Sequence, residues 1–210
     1  IAGEVGKESL QQLRELRIPF VIIDFFSPLY PYSYVYLDNY TASYTATQYL
    51  IDRGHRKIGF VGDITTTSSI KDRYFGHLKA LLDNNIPIRN DYLVCNNIEK
   101  MSTYEDILPA DLPTAFLCHC DSAAHKLYLL LKFKNISIPG DVSVVSFDNT
   151  DLCKTVVPQL TSIGVPKEKY AKKSIELMLE QLEKPHAGCA ALKPYLCERE
   201  SVAPPPAAAE

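Results

Sequence analysis

The sequence predicts an α/β fold in which parallel sheets are covered by helices. Short runs rich in β-branched and aromatic residues alternate with longer segments whose apolar residues recur at helical spacing. Asp, Asn or Gly follows directly on most of these runs, as expected where a strand passes into a turn or a helix cap. The 210 residues are 46% hydrophobic and 22% charged, enough to bury a substantial core in a soluble chain. Strand and helix in alternation build parallel sheets, because a crossover helix must carry the chain back before the next strand begins.

The elements follow in order. Ile1-Ala2-Gly3 reads as the end of a strand, with a helix through Leu10, Leu13 and Leu16 behind it. Such an opening places residue 1 inside a βα unit, so the sequence is expected to be part of a longer chain. Strand runs are expected at Phe20 to Ile23 and at Tyr34 to Leu37. Asp38-Asn39 suits the cap of a helix from Tyr40 to Arg53, since a short side-chain oxygen accepts from the unpaired N–H groups of a first turn, and Gly54 suits its stop. Further strands are expected at Lys57 to Val61, Tyr92 to Cys95, Thr114 to Cys118 and Val142 to Phe147.

Two helical stripes stand out. Ala124, Leu127, Tyr128 and Leu131 form one, and Ile175, Met178, Leu179 and Leu182 form another in a helix that Pro166 is suited to start. Lys184 to Leu192, with Pro185, Gly188 and three alanines, reads as a loop, and Ala203 to Glu210 as a frayed tail. There is no internal repeat.

Charge and motif content exclude several functions. A net charge of −3 argues against a broad phosphate-binding footprint. No apolar run approaches the roughly 18 residues of a membrane span, and the first residues show no basic-then-apolar leader. The six cysteines, at 95, 118, 120, 153, 189 and 197, are scattered through apolar segments and are expected as free thiols of a reducing compartment. Cys118-His119-Cys120 lies where strand residues point to alternate faces, so it is expected to hold no metal. The five histidines lack metal-ligand spacing, and there is no Gly-x-Ser-x-Gly elbow or Gly-rich phosphate loop. Neither catalytic residues, nor a cofactor, nor a metal site is expected. The run Thr65 to Ser69 suits a solvated loop as well as a phosphate contact.

In open parallel sheets ligands bind outside the carboxyl ends of the strands. The residues expected there are Asp24, Asp38-Asn39, Gly62-Asp63, Cys120-Asp121 and Asp148-Asn149. Carboxylates and amides in such a row can accept from and donate to a polyhydroxylated ligand, although each one alone equally suits a helix cap.

Several segments in register resemble the LacI/GalR-type transcriptional regulators. They are Val35-Tyr36-Leu37-Asp38-Asn39, Ala46 to Ile51, Gly54-His55-Arg56-Lys57-Ile58-Gly59-Phe60, Arg73-Tyr74-Phe75-Gly76, Pro113 to Asp121, Ile138 to Asn149 and Pro158 to Ile163. Glu198-Arg199-Glu200-Ser201 resembles the family's last strand. The resemblance implies a periplasmic-binding-protein-like core of two α/β lobes with a small effector, a sugar or sugar derivative, in the cleft. It implies an N-terminal lobe of residues 1–53 plus 165–187, incomplete because the opening βαβ is expected before residue 1. The C-terminal lobe would hold 54–164 plus 188–202, with 203–210 as tail. It further implies a cytoplasmic homodimer that meets operator DNA only through a helix-turn-helix head preceding this sequence.

Carried over residue by residue, Arg73 matches the arginine that grips the effector and Asp148 the aspartate that faces it. Cys120, Lys167 and Tyr170 match further ligand-facing positions. Three departures bear on the ligand: Cys120 replaces an asparagine, Tyr40-Thr41-Ala42-Ser43 replaces the usual glycines, and the segment between Cys95 and Pro113 is short. A transporter-associated sugar-binding protein shares the two-lobe fold and stands as the alternative.

Overall fold

In a computed structural model of the chain, residues 6–15, 18–26, 31–94, 107–183 and 188–207 are described. The order begins α1 (Lys7–Glu15), β1 (Val21–Ile23), β2 (Ser33–Leu37), α2 (Asn39–Asp52), β3 (Ile58–Val61) and α3 (Ser68–Asp83). It continues with β4 (Leu93–Val94), β5 (Ala115–Cys118), α4 (Asp121–Phe133), β6 (Ser143–Asp148), α5 (Leu152–Thr155) and β7 (Thr161–Gly164). It closes with α6 (Lys167–Glu183), β8 (Cys189–Leu192) and β9 (Tyr195–Cys197). The smaller of two units comprises Ile1–Asp38, Thr67–Ser69 and Pro166–Pro194; the larger comprises Asn39–Thr66, Ile70–Val165 and Tyr195–Glu210.

The larger unit is built on a six-stranded sheet of order β4-β3-β5-β6-β7-β9, parallel except for the antiparallel edge pair β7–β9. β3, β5 and β7 are buried along their whole length, and β6 except at its end, as strands covered on both faces must be. One face packs Ala42, Ala46 and Leu50 of α2 and Ala80 and Leu81 of α3 against Phe60, Leu117 and Phe147. The other packs Ala124, Leu127, Tyr128 and Leu131 of α4 against Phe116, Cys118 and Val144, so the first helical stripe faces the core as its spacing predicts. Gly76 lets α3 approach α2 closely: a Cβ there would lie 2.1 Å from the Tyr40 carbonyl oxygen. Gly54, at φ +99°, ends α2 in a conformation that L side chains rarely adopt.

The smaller unit has a three-stranded parallel sheet, order β1-β2-β8. Leu10 of α1, Ile22 and Tyr34 form its buried centre.

Five expectations are corrected. The stretch 184–192 is not all loop: Cys189–Leu192 pairs in parallel register with Tyr34–Leu37, an edge position whose ladder bonds are made by backbone and so leave no apolar signature in a run of alanines. That pairing places 188–194 in the smaller unit, whereas 39–53, expected in the N-terminal lobe, belongs to the larger because α2 buries its small-residue face on β3 and β5. The last strand is Tyr195–Cys197 and stops before Glu198-Arg199-Glu200-Ser201, whose backbone and side chains bind the strand ends instead. The tail is anchored at its start, where Ala203 N–H donates to Ser143 Oγ at 3.0 Å and the Ala203 carbonyl meets His55 Nε2 at 2.9 Å. In α6 the buried residues are Tyr170 and Leu177, while Ile175, Leu179 and Leu182 are exposed. The face that lies on the sheet there mixes apolar with polar groups, among them Gln181, which donates to Ser33 Oγ.

Ile1 to Gly3, Leu16, Cys95 and Lys184 to Ala187 lie outside the described residues.

Candidate ligand-binding site

From β3 the chain goes to β4 on one side and returns to β5 on the other, so the carboxyl ends of β3 and β5 flank a topological switch point. At such a point the crossovers diverge and leave a crevice. His119 follows β5 there and is tied to β3, its backbone N–H donating to the Val61 carbonyl at 2.8 Å and its Nδ1 lying 3.2 Å from the same oxygen.

Arg73, in the second turn of α3, reaches this end of the sheet. Although a charged side chain, it is only 7% exposed. Its Nε donates to Asn39 Oδ1 at 2.8 Å, an Nη donates to the His119 carbonyl, and the guanidinium carbon lies 4.4 Å over the Phe147 ring. These contacts fix the plane of the fork, and the remaining Nη stands 3.6 Å from the Asp148 carboxylate. That separation exceeds a hydrogen bond, so the pair is held near one another and their polar edges are not saturated by each other.

Asp148 ends β6 at φ 97° and Asn149 follows at φ 48°, two successive residues in a conformation costly for side chains other than Asn, Asp and Gly. Asn149 is held in turn: its N–H donates to Ser162 Oγ at 3.1 Å and its Oδ1 accepts from Arg199 at 2.6 Å. The turn therefore presents the Asp148 carboxylate, 38% exposed, from a rigid base.

Asp121 lies at the same edge but has a different task. Its carboxylate is 1% exposed and accepts from Ser146 Oγ, Ser162 Oγ at 2.7 Å, and the N–H and hydroxyl of Thr150 at 2.6 and 2.9 Å. A charge so surrounded by donors braces β6, β7 and the turn after β6.

Cys120 sits at the N-cap of α4, its Sγ 3.3 Å from His119 Nε2 and 3.0 Å from Ser122 Oγ. Burial pushes the Cys153 thiol up to about 12 and raises Cys118 as well, so these two are inert core thiols. Among the described residues, Cys118, Cys120, Cys153, Cys189 and Cys197 form no disulfide.

Of the five residues singled out in the sequence, Arg73, Asp148 and Cys120 thus fall in one part of the larger unit. Lys167 and Tyr170 belong to the smaller. Lys167 is exposed at the start of α6, and Tyr170 is buried with its hydroxyl 3.5 Å from Asp24 Oδ1. Asp24 follows β1 at φ 64°, and Phe26 beyond it stacks on Tyr36 with centroids 4.8 Å apart. Sequence reasoning read Asn39 as a cap or a direct ligand contact and missed it as the acceptor that orients Arg73. It also missed the His119 carbonyl, for which no sequence signal exists, because any residue supplies a carbonyl.

The sequence pattern of the periplasmic binding protein-like domain matches residues 47–202. The chain belongs to that family. It is similar to the HTH-type transcriptional repressor PurR of Pectobacterium atrosepticum, 31% identical over 214 residues that cover 98% of this chain and 63% of the relative. It therefore spans less than two thirds of that curated relative. A transcription regulator from Lactobacillus plantarum, 22% identical, shares the fold with a TM-score of 0.86 over 96% of this chain and 79% of that one. A LacI family transcriptional regulator from Enterococcus faecium with bound ribose is 26% identical, with a TM-score of 0.81 over 95% of this chain and 77% of that one. The relatives named here are regulators and not transporter-associated sugar-binding proteins.

Proposed function

We propose that this domain is the effector-sensing part of a DNA-binding transcriptional repressor, and that its effector is a small polyhydroxylated molecule of the sugar class. The observation that carries the reading is the pairing of Arg73 with Asp148. A guanidinium locked by Asn39 and His119 offers donors only, and a carboxylate 3.6 Å away offers acceptors only. A hydroxyl both donates and accepts, so a polyol satisfies both partners where a simple anion or cation repels one. The ribose bound by the Enterococcus faecium regulator supports the ligand class, and the repressor relatives support the regulatory role.

Cys120 is assigned to the same ligand from its place beside His119. Lys167 and Tyr170 are assigned as the smaller unit's ligand contacts on the resemblance alone. Operator DNA is assigned to a helix-turn-helix head, because a net charge of −3 gives these residues no phosphate footprint. We assign the domain to the cytoplasm; among the described residues no helix is long and apolar enough to cross a membrane. Self-association as a homodimer is supported by exposed Leu129 and Val157, the latter 90% exposed, which border one surface hollow of about 590 Å³. The reading requires neither catalysis nor a cofactor.

Calorimetric titration of the chain with ribose, other pentoses, hexoses and disaccharides tests it. At least one sugar is expected to bind saturably, with loss of binding in Arg73→Lys. Absence of binding across the panel, or full binding by Arg73→Lys, overturns the ligand assignment.

A further inference from the structure

At the opposite end of the larger unit's sheet, beside the amino end of β3, lies a cavity of about 160 Å³ with no part in the site above. Its walls include Phe60, Tyr74, Leu78, Leu81 and Ile86 with His77 among them, and Arg56, Lys57 and Arg89 border it as well. An apolar cavity of about 150 Å³ is large enough to take up benzene. The space therefore matches one six-membered aromatic ring.

The chemistry of His77 narrows the ligand. Its ring is 2% exposed, and its Nδ1 lies 3.0 Å from Thr47 Oγ1. The Thr47 hydroxyl has one hydrogen, which it donates to the Ser43 carbonyl at 2.9 Å. Its oxygen must then accept from His77, so the proton is on Nδ1 and Nε2 is an acceptor. Among the described residues no donor reaches Nε2. Burial lowers the imidazole pKa to about 3, so the ring stays neutral at physiological pH. A hydroxyl of a ligand in the cavity can donate to Nε2.

At the rim, Lys57 and Arg89 are both engaged by Asp111, and Arg89 by Asp91 as well, so these two cations offer little to an anionic ligand, while Arg56 there is exposed to solvent. We propose that this cavity binds a small neutral phenol, its ring among Phe60, Tyr74, Leu78 and Leu81 and its hydroxyl donating to His77 Nε2. This second ligand is independent of the sugar reading, being in a different place and of a different chemical class.

The test titrates the intact chain with phenol and with toluene, read by saturation-transfer NMR and calorimetry. Phenol is expected to bind saturably and about tenfold more tightly than toluene, the usual weight of one buried hydrogen bond. His77→Leu is expected to bring the ratio to about one by removing the acceptor. Leu78→Trp and Ile88→Trp, at a half-buried and an exposed position, are expected to abolish uptake of both by filling the space, and they keep the test decisive if His77→Leu does not fold. Lack of saturable phenol binding, phenol no tighter than toluene, or unchanged uptake in both tryptophan variants overturns the proposal.

Discussion

Arg73 and Asp148 stand 3.6 Å apart, with the arginine buried and the aspartate partly open to solvent. The asymmetry separates stability from binding. An ion pair this long and partly exposed contributes at most about 1 kcal/mol to folding, whereas a charged hydrogen bond to a ligand is worth about 1.5–3 kcal/mol. Asp148→Asn, which keeps the shape and tolerates the positive φ, is expected to leave the unfolding midpoint nearly unchanged. Affinity for the sugar that binds the parent chain is expected to fall by about tenfold or more, as measured by calorimetry. Equal affinity in the two proteins would remove Asp148 from the site.

Asp121 behaves in the opposite way. Removing its carboxylate orphans two serine hydroxyls and both donors of Thr150 in a closed interior. Asp121→Ala is expected to lower stability by about 3 kcal/mol or more, read in urea unfolding, with Asp121→Asn less affected because it retains one acceptor oxygen. A loss below about 1 kcal/mol would show that water or rearranged hydroxyls replace the carboxylate.

These two aspartates show where legibility ends. Both follow strands, both lie at one sheet edge, and in the sequence both read as ligand contact or cap. What separates them is whether distant serines converge on the carboxylate, as Ser146 and Ser162, 25 and 41 positions away, do on Asp121, and that is a property of strand order. The strands themselves were legible because β3, β5 and β6 are two-sided core strands and carry continuous apolar runs. β8 was not, since its Ala190 and Ala191 add nothing a loop would not also show. The stripe in α6 misled for a related reason: spacing reveals that an apolar face exists, and only the partner surface decides whether Ile175 and Leu179 are covered.

Gly76 gives a test of helix packing. Glycine in a helix interior normally costs about 1 kcal/mol relative to alanine, so Gly76→Ala in isolation stabilises. Here the added Cβ would stand 2.1 Å from the Tyr40 carbonyl oxygen and 3.1 Å from Ser43 Cβ, forcing α2 and α3 apart. Overpacking of that kind costs about 1–3 kcal/mol, and with backbone as the obstacle the upper end applies. A net loss of about 1–2 kcal/mol is expected, lowering the melting temperature by roughly 2–8 °C in a chain of this size. A rise in melting temperature would mean that the helices separate without cost.

His77 makes stability depend on pH. In the unfolded chain an imidazole titrates near its ordinary 6.5, whereas burial among Phe60, Tyr74 and α2 lowers it to about 3 in the folded protein. Between those values the unfolded state binds the proton and the folded state does not. The stability associated with the neutral ring is therefore present above pH 6.5 and is lost as the pH falls toward 3, at up to about 1.4 kcal/mol per pH unit from this group. His55 adds to the same trend, as burial lowers its pKa against the opposing pull of the Ala203 carbonyl, so a single pH series does not isolate His77. The comparison with His77→Gln does. Glutamine places an amide near Thr47 and cannot titrate, so between pH 7 and pH 5 the variant is expected to lose about 1–2 kcal/mol less than the parent chain in urea unfolding. Parallel losses in the two proteins would mean that His77 takes up a proton in the folded state, and that its ring is more open to water than its packing against Phe60 implies.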